Sequence, residues 1–311
     1  MVVDRPKIGR RLGLALVLLA SAVGTPVVGL GDEPKSTGWV ETSKDEPAGT
    51  HYRTFHSDAA KADVSYLVYL PPGYDDDKDR RYPVIYWLHG MTRDQREGAN
   101  FVRTLDRAIR DGEAPKAIAV LVNGRRHSYY CDSPDGHTPV ESMIVEDLVP
   151  HVDRTYRTLG RARDRALEGF SMGGFGAAHL GLKYPETFGL VTIVAGALHK
   201  AEDFAEEHSE AYRDAFGADK AYFEKNSPWS LAKENAPKVR GRVKFRVVVG
   251  DLDPLYHGNR DFCERLKNGE IDAEFLPVKN ATHHYESLYK GLGDRTFAFY
   301  QKAWGTAKSG D

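Results

Sequence analysis

A hexapeptide near the middle of the chain, Gly169-Phe170-Ser171-Met172-Gly173-Gly174, constrains the fold more than any other segment. It follows a short strand-like run at 165–168 and opens a helix-like run that ends near Tyr184. A serine between two glycines at a strand-to-helix turn is typical of a nucleophile elbow, where the serine holds a strained backbone conformation. Glycine has no Cβ, so neighbouring main chain can pass close to the turn. We therefore expect an exposed Ser171 hydroxyl at a helix N-terminus, where amide dipoles favour developing negative charge.

The elbow pattern is short, and many chains of this length contain it by chance. A catalytic interpretation therefore requires an acid, a base and an oxyanion site elsewhere in the sequence. The 311 residues permit one large α/β domain or two small ones, and the 41% that are hydrophobic are enough for a sizeable core. The 43 basic and 45 acidic side chains give a formal charge of -2, which offers no reason to expect a nucleic-acid partner.

Strand-like and helix-like runs alternate along the chain, which predicts a mostly parallel central sheet with helices on both faces. The predicted strands are His51–His56, Val64–Leu70, Tyr82–Leu88, Ala117–Val122, Arg165–Glu168, Leu190–Val194, Val243–Val249 and Ala273–Val278. The predicted helices are Phe101–Asp111, Val145–Tyr156, Gly174–Tyr184, Asn259–Asn268 and Tyr285–Ala303. The charged and aromatic segment 196–237 interrupts this alternation, and it is either a cover over the active site or a surface excursion.

The first 30 residues predict a secretory signal peptide and the start of a linker. Arg10 and Arg11 precede an apolar run, Leu12–Val23, that ends among small residues. The arginine pair is compatible with a twin-arginine export route, and Pro26 disfavours a stable membrane span. We expect a secreted or periplasmic protein with no stable membrane association after signal removal.

Residues 31–49 are rich in Gly, Pro, Ser, Thr and charge, and are predicted to form a flexible linker. Residues 50–305 are then the catalytic domain. Cys131 and Cys263 are the two cysteines, and in an exported protein they either form one disulfide or remain separate buried thiols.

Two adjacent histidines are candidates for the base, because the acid and then the histidine follow the serine in this type of site. His283 and His284 lie between the last predicted strand and the last predicted helix. We favour His283, since the short turn of small residues before it can aim the imidazole toward the elbow. His284 is expected to pack or to line the pocket. We expect no metal and no cofactor, because no carboxylate or cysteine ligand pattern accompanies the pair.

Asp251 and Asp253 are candidates for the acid, which must accept the Nδ1–H of the histidine and stabilise the imidazolium. Both follow the strand at 243–249. We favour Asp253, while Asp251 fits a turn-forming side chain bonded to backbone amides.

The oxyanion hole requires two backbone N–H donors. We expect one from Met172, directly after the serine, and one from Met91 in the loop that follows the early strand. His89 precedes the serine, which is the wrong order for a base, and it is expected to orient that loop.

These segments together resemble the esterase D / feruloyl esterase / antigen 85 family of α/β-hydrolases over about residues 66–304. The segments that carry the resemblance are Tyr69–Tyr74, Tyr82–Gly90, Asp132–Pro134, Glu141-Ser142, Glu146–Asp153 and Gly169–Ala177. The resemblance implies an α/β-hydrolase fold, with the base in a turn that here reads Ala281–Tyr285 and the acid in the Gly250–Asp253 turn.

The sequence departs from the family pattern at two places. Many members carry further glycines after His-Gly, whereas Met91–Asp94 follows here, which affects the second oxyanion donor. The aromatic residue after the base is Tyr285 in place of the usual Trp, and Leu288 replaces a second aromatic, which affects the substrate.

The resemblance implies a secreted serine esterase that acts through an acyl-enzyme on acetyl or feruloyl esters of carbohydrate. An acyltransferase or a siderophore esterase would use the same machinery, and a non-catalytic carbohydrate-binding protein is the alternative from a different class. The expected partner is a small-molecule or polysaccharide ester. The candidate substrate-binding side chains are Tyr129, Tyr130, Trp229, Tyr256 and His284.

Overall fold

The computed structural model describes residues 38–47 and 49–305, in which eight strands form one sheet of spatial order β1-β2-β4-β3-β5-β6-β7-β8. The strands are β1 (Thr50–Ser57), β2 (Ala62–Tyr69), β3 (Val84–Leu88), β4 (Ile118–Val122), β5 (Arg165–Phe170), β6 (Leu190–Val194), β7 (Lys244–Gly250) and β8 (Asp272–Val278). The predicted signal peptide, residues 1–30, lies outside the described residues. Among the described helices, none combines the length and the apolar character needed to cross a bilayer.

Pairing in the sheet is antiparallel between β1 and β2 and between β2 and β4, and parallel everywhere else. Strands β3, β4, β5 and β6 are buried along their whole length, as expected for parallel strands covered on both faces. One hydrophobic core packs around the helices Met172–Lys183 and Tyr256–Asn268 and a second around the helices Ala99–Arg110 and Tyr285–Leu292, so helices cover both faces. The predicted fold class is confirmed.

The predicted helices are present with different ends, and the segment 196–237 contains further short helices that the sequence did not predict. They are α1 (Ala99–Arg110), α2 (Val140–Ser142), α3 (Val149–Thr155), α4 (Met172–Lys183), α5 (Ala201–Glu207), α6 (Ser209–Phe216), α7 (Lys220–Asn226), α8 (Pro228–Glu234), α9 (Ala236–Val239), α10 (Tyr256–Asn268), α11 (Tyr285–Leu292) and α12 (Ala298–Trp304). A π-helical turn joins α2 to α3. The predicted last helix is divided in two, because Gly293 adopts φ +54° after α11.

The prediction of a flexible linker at 31–49 is wrong at Trp39, which is packed onto the domain. Trp39 is buried in the core, and its carbonyl accepts a hydrogen bond from the Ser65 amide at 2.8 Å. The Arg125 guanidinium lies over the indole ring, 5.0 Å from the ring centroid. Burial of one large aromatic side chain outweighs the polar composition around it, so this part of the segment is packed onto the domain.

The segment 196–237 folds into short helices whose aromatic side chains point inward. Phe204, Tyr212, Phe216 and Phe223 are buried against one another, and through contacts with Tyr129 and Phe175 they join one face of the main hydrophobic core. The two cysteines are separate buried thiols.

Candidate active site

The elbow serine sits on a strained turn between β5 and α4. Ser171 has φ 57° and ψ -113°, a left-handed conformation that a non-glycine residue rarely adopts. A Cβ on Gly169 would lie 2.0 Å from the Gly173 carbonyl oxygen, and one on Gly173 would lie 2.0 Å from the Leu88 carbonyl oxygen. Both glycines are therefore required for the close approach of β3, β5 and α4.

Three side chains from three loops form one hydrogen-bonded chain at the C-terminal edge of the sheet. His283 Nε2 lies 3.0 Å from Ser171 Oγ, and His283 Nδ1 lies 2.9 Å from an Asp253 carboxylate oxygen. The Asp253 side chain is fully buried, whereas 34% of the His283 side chain is exposed. The arrangement has the contacts required of a nucleophile, a base and an acid, because each heavy-atom distance is within hydrogen-bond reach.

The two aspartates after β7 have different partners. Asp253 also accepts the Leu255 amide at 2.8 Å, which fixes the carboxylate while its other oxygen faces His283. Asp251 is exposed and accepts the Asn280 amide at 2.7 Å, so it ties the two loops together.

The two adjacent histidines also have different surroundings. The imidazole of His283 stacks on the Phe170 ring with centroids 4.8 Å apart. His284 precedes the first turn of α11 and lies on the wall of the cleft around Ser171. Stacking and two hydrogen bonds orient the His283 ring, whereas His284 is an exposed wall residue.

The residues expected to form the oxyanion hole lie beside Ser171. Met172 is the first residue of α4, and Met91 lies in the loop after β3 that lines the same cleft. Within the described part of the chain, neither backbone N–H donates to a protein acceptor. Both amides are therefore available to a ligand oxygen.

The β3 loop is held in place by His89 and its neighbours. The Gly124 amide donates to His89 Nε2 at 3.1 Å, so the proton of the ring is on Nδ1, which donates to the Gly90 carbonyl at 2.8 Å. Burial lowers the pKa of His89 to about 4, in agreement with a neutral ring. The Tyr130 hydroxyl donates to the His89 carbonyl at 3.0 Å, and the Glu97 carboxylate accepts the Gly90 amide at 2.7 Å.

The structure contradicts part of the substrate-binding prediction. Tyr129 and Tyr130 are buried in the protein interior, so they cannot form a rim around the serine. Trp229 donates its indole N–H to the Leu198 carbonyl, and Tyr256 packs on Phe275. Neither side chain lies on the wall of the cleft around Ser171.

The cleft that contains Ser171 is open and has a volume of about 810 Å³. Its wall comes from the β3 loop, the start of α1, the elbow and the start of α11, and none of the residues 196–237 of the described chain contributes to it. The wall side chains that the sequence did not indicate are Thr92, Arg93, Asp94, Arg96, Glu97, Asn100, Arg103 and Glu286. Both departures from the family pattern, the residues after Gly90 and Tyr285, fall on this wall.

A second histidine–carboxylate pair lies beneath the site, in the core. His179 of α4 is fully buried, with Nε2 2.6 Å from a Glu141 carboxylate oxygen and Nδ1 2.8 Å from the Asn226 carbonyl oxygen. Lys183 and Tyr184 also donate to Glu141. Both ring nitrogens face acceptors, so both carry protons and His179 is an imidazolium.

Comparison with known proteins finds similarity to proteins that are named esterases. Esterase Rv1288 of Mycobacterium tuberculosis is 29% identical over 264 residues, which cover 76% of this chain and 56% of that protein. The chain thus spans about half the length of this relative. An endo-1,4-beta-xylanase/feruloyl esterase of Xylanibacter ruminicola is 28% identical over 169 residues, which cover 51% of this chain and 23% of the relative.

A solved structure of a ferulic acid esterase superposes with a TM-score of 0.70 at 23% identity, over 82% of this chain and 98% of that chain. This likeness shows the α/β-hydrolase fold. The sequence model of the Putative esterase family matches residues 57–307, which is most of the chain. The chain therefore belongs to the Putative esterase family.

Proposed function

We propose that the protein is an exported serine esterase that hydrolyses carboxylic esters through an acyl-enzyme. The observation that carries this proposal is the hydrogen-bonded chain from Ser171 through His283 to Asp253. An imidazole held by a carboxylate can remove the serine proton at neutral pH, which converts a weak nucleophile into a reactive one.

In the proposed reaction, Ser171 Oγ attacks the ester carbonyl while its proton moves to His283 Nε2. The Asp253 carboxylate accepts the Nδ1–H and stabilises the imidazolium. The amides of Met91 and Met172 donate to the carbonyl oxygen as it becomes negative. The imidazolium then protonates the leaving alcohol, and a water molecule activated by the same ring releases the acid from Ser171.

We propose acetyl or feruloyl groups on carbohydrate as the substrate class. The open cleft supports this choice, because a polymer chain can lie across the serine without entering a closed pocket. The charged and amide side chains of the wall provide many hydrogen-bond donors and acceptors for sugar hydroxyls. Relatives and neighbours whose names include feruloyl or ferulic acid esterase support the same class.

Export is proposed from the first 30 residues alone, with the positive start and apolar run of a signal peptide. Expression of the full chain in a bacterial host, followed by fractionation and N-terminal sequencing of the mature protein, tests this part. A full-length protein that remains in the cytosol would contradict it.

Replacement of the serine separates an enzyme from a binding protein on the same scaffold. Ser171→Ala should lower the rate of p-nitrophenyl acetate hydrolysis at least ~10³-fold. Ser230→Ala, on the distant helix α8, serves as the matched control and should retain the wild-type rate. A fluorophosphonate should label wild type at Ser171 in a peptide map. Equal activity of Ser171→Ala and wild type would overturn the assignment.

A substrate panel then defines the ester. Acetylated xylan, methyl ferulate and a siderophore triester should be compared at equal enzyme concentration, with product analysis in the presence of added sugar acceptors. Faster release from xylan or ferulate supports the proposed class. Preferential hydrolysis of the triester, or transfer of the acyl group to sugar, would replace it with one of the alternative reactions.

The adjacent histidines provide a test of the base. His283→Ala should abolish turnover, because His283 contacts both Ser171 and Asp253. His284→Ala removes only an exposed wall residue and should retain most of the activity. The reverse pattern of activities would exchange their roles.

A further inference from the structure

Three side chains with metal-binding atoms converge at the start of the insertion. His199 lies in the loop after β6, Glu207 is the last residue of α5, and His208 joins α5 to α6. One ligand atom from each lies within 4.8 Å of the other two, and His199 Nδ1 is 3.8 Å from a Glu207 carboxylate oxygen.

We propose that His199, Glu207 and His208 bind one zinc ion. In a tetrahedral zinc site with bonds of about 2.0–2.2 Å, neighbouring ligand atoms are about 3.3–3.5 Å apart. The observed separations are 3.8 Å for one pair and up to 4.8 Å for the others, so side-chain rotations that bring the ligand atoms about 1 Å closer are needed to close the site. This site is separate from His283 and His284, the pair from which no metal was expected.

Aromatic packing positions both imidazoles before any ion binds. The His199 ring stacks on buried Phe204 with centroids 5.6 Å apart, and the His208 ring lies 5.6 Å from the same Phe204 ring. The His199 side chain is only 11% exposed, whereas Glu207 is 60% exposed. An ion can therefore enter from the Glu207 side and meet two imidazoles that are already oriented.

The ligand set determines the class of ion. Two imidazole nitrogens and one carboxylate, with a fourth position for water, suit Zn²⁺. Ca²⁺ and Mg²⁺ prefer oxygen ligands, so a site in which two of three ligands are imidazoles disfavours them.

Zinc at this position would stabilise the loop next to the elbow. The Ala197 amide, two residues before His199, donates to the Ser171 carbonyl at 2.9 Å. The ion would connect this loop to the junction of α5 and α6. We therefore expect zinc to raise the melting temperature, since it binds the folded state and not the unfolded chain.

A neighbouring cluster of His127, Glu210 and Asp214 provides an internal comparison. His127 Nδ1 already lies 3.2 Å from an Asp214 carboxylate oxygen, which is an ordinary side-chain hydrogen bond. It offers one imidazole and two exposed carboxylates, so it is the weaker candidate for zinc.

The test uses the full chain without a polyhistidine tag, stripped with EDTA and titrated with Zn²⁺ by calorimetry. Co²⁺ titration should give the visible absorption bands of a tetrahedral site. We expect one Zn²⁺ per chain, with affinity weakened at least about 100-fold in Glu207→Gln and in His208→Ala. Because Glu207 is exposed, the Glu207→Gln variant should fold normally, and circular dichroism checks this.

Two control variants should bind zinc like wild type. His257→Ala removes an exposed histidine of α10, and Asp214→Asn removes a carboxylate of the neighbouring cluster. The proposal is overturned if wild type binds no zinc, or if Glu207→Gln and His208→Ala both bind it as tightly as wild type. Loss of binding in Asp214→Asn alone would also overturn it, in favour of the neighbouring cluster.

Discussion

Two of the histidine–carboxylate pairs in the described part of the chain have similar contacts and differ in chemistry. In the cleft, His283 Nδ1 meets Asp253 at 2.9 Å and Nε2 faces a serine hydroxyl at 3.0 Å. In the core, His179 Nε2 meets Glu141 at 2.6 Å and Nδ1 faces a carbonyl oxygen at 2.8 Å. A carbonyl only accepts, so His179 must donate through both nitrogens and has no lone pair for a proton.

The pKa shifts of the core pair explain why it is charged. Burial would lower the pKa of His179, but its interactions with Cys131 and Glu141 outweigh burial and raise it to about 10. Burial would raise the pKa of Glu141, but hydrogen bonds from its three donors outweigh burial and lower it to about 2. The core pair is therefore a fixed ion pair. A histidine next to a carboxylate can act as a base only where the other nitrogen faces a group that gives up a proton.

The largest expected effect comes from the acid of the cleft pair. Asp253→Asn keeps the size of the side chain but removes the acceptor that holds His283 in the correct tautomer. We expect kcat for p-nitrophenyl acetate to fall about 10⁴-fold, with little change in the midpoint of urea unfolding. Asp251→Asn is the matched control and should retain activity, because that carboxylate contacts a backbone amide and not the base. Equal loss in both variants would show that loop structure, and not tautomer control, matters.

The matched change in the core pair should have the opposite outcome. Glu141→Gln leaves the buried imidazolium without its counter-charge, which should cost about 3–5 kcal/mol of the free energy of unfolding. Activity per folded molecule should stay close to wild type. Urea unfolding combined with active-site titration measures both quantities. A stable but inactive Glu141→Gln would show that the core pair takes part in the chemistry.

The pH dependence of the free energy of unfolding gives a second test of this ion pair in the same variant. The folded pKa of Glu141 is lowered from 4.5, so its contribution to stability is present above pH 4.5 and is lost as pH falls toward 2. The folded pKa of His179 is raised from 6.5, so its contribution is present below pH 6.5 and is lost as pH rises toward 10. The difference in stability between wild type and Glu141→Gln should therefore be largest between pH 4.5 and 6.5. A difference that is constant with pH would contradict the ion pair.

The cleft pair is predictable from the sequence because the features that indicate it are local in the chain. The elbow glycines, the order of acid and base, and the position of each after a strand are all visible in the chain. The wall of the cleft was not visible, since residues such as Glu97 and Arg103 reach it through the path of one loop and the start of α1. The core pair joins residues 38 positions apart, and no local pattern indicates such a contact.

Two errors have a common physical cause. The sequence analysis offers Tyr129 and Tyr130 as substrate-binding side chains and places Trp39 in a flexible linker, and polar residues lie near all three in the sequence. Tyr129 and Tyr130 adopt φ 52° and 59°, and this turn directs both rings inward. Polar composition shows that a segment is near the surface, but not which of its aromatic side chains fills the core.

A third histidine, His89, can be compared with these two. The change that tests its role, Tyr130→Phe, has the smallest expected effect. His89 also has both nitrogens occupied, yet it is neutral, because one partner is an amide donor and the other a carbonyl acceptor. Its role in the site depends on its backbone, whose carbonyl accepts the Tyr130 hydroxyl. Tyr130→Phe leaves that buried carbonyl without its donor at a cost of about 1 kcal/mol.

If the β3 loop positions the Met91 amide, loss of this hydrogen bond should raise the free energy of the transition state by about 1 kcal/mol. We expect kcat to decrease about fivefold while KM changes little, because about 1 kcal/mol corresponds to about a fivefold change in rate. Tyr156→Phe removes a hydroxyl that contacts Tyr66, far from the cleft, and should leave kcat unchanged. A Tyr130→Phe enzyme with wild-type kcat and a lower melting temperature would show that the hydroxyl only stabilises the fold. The three histidines would then divide into one base and two structural groups, with no influence of His89 on the oxyanion site.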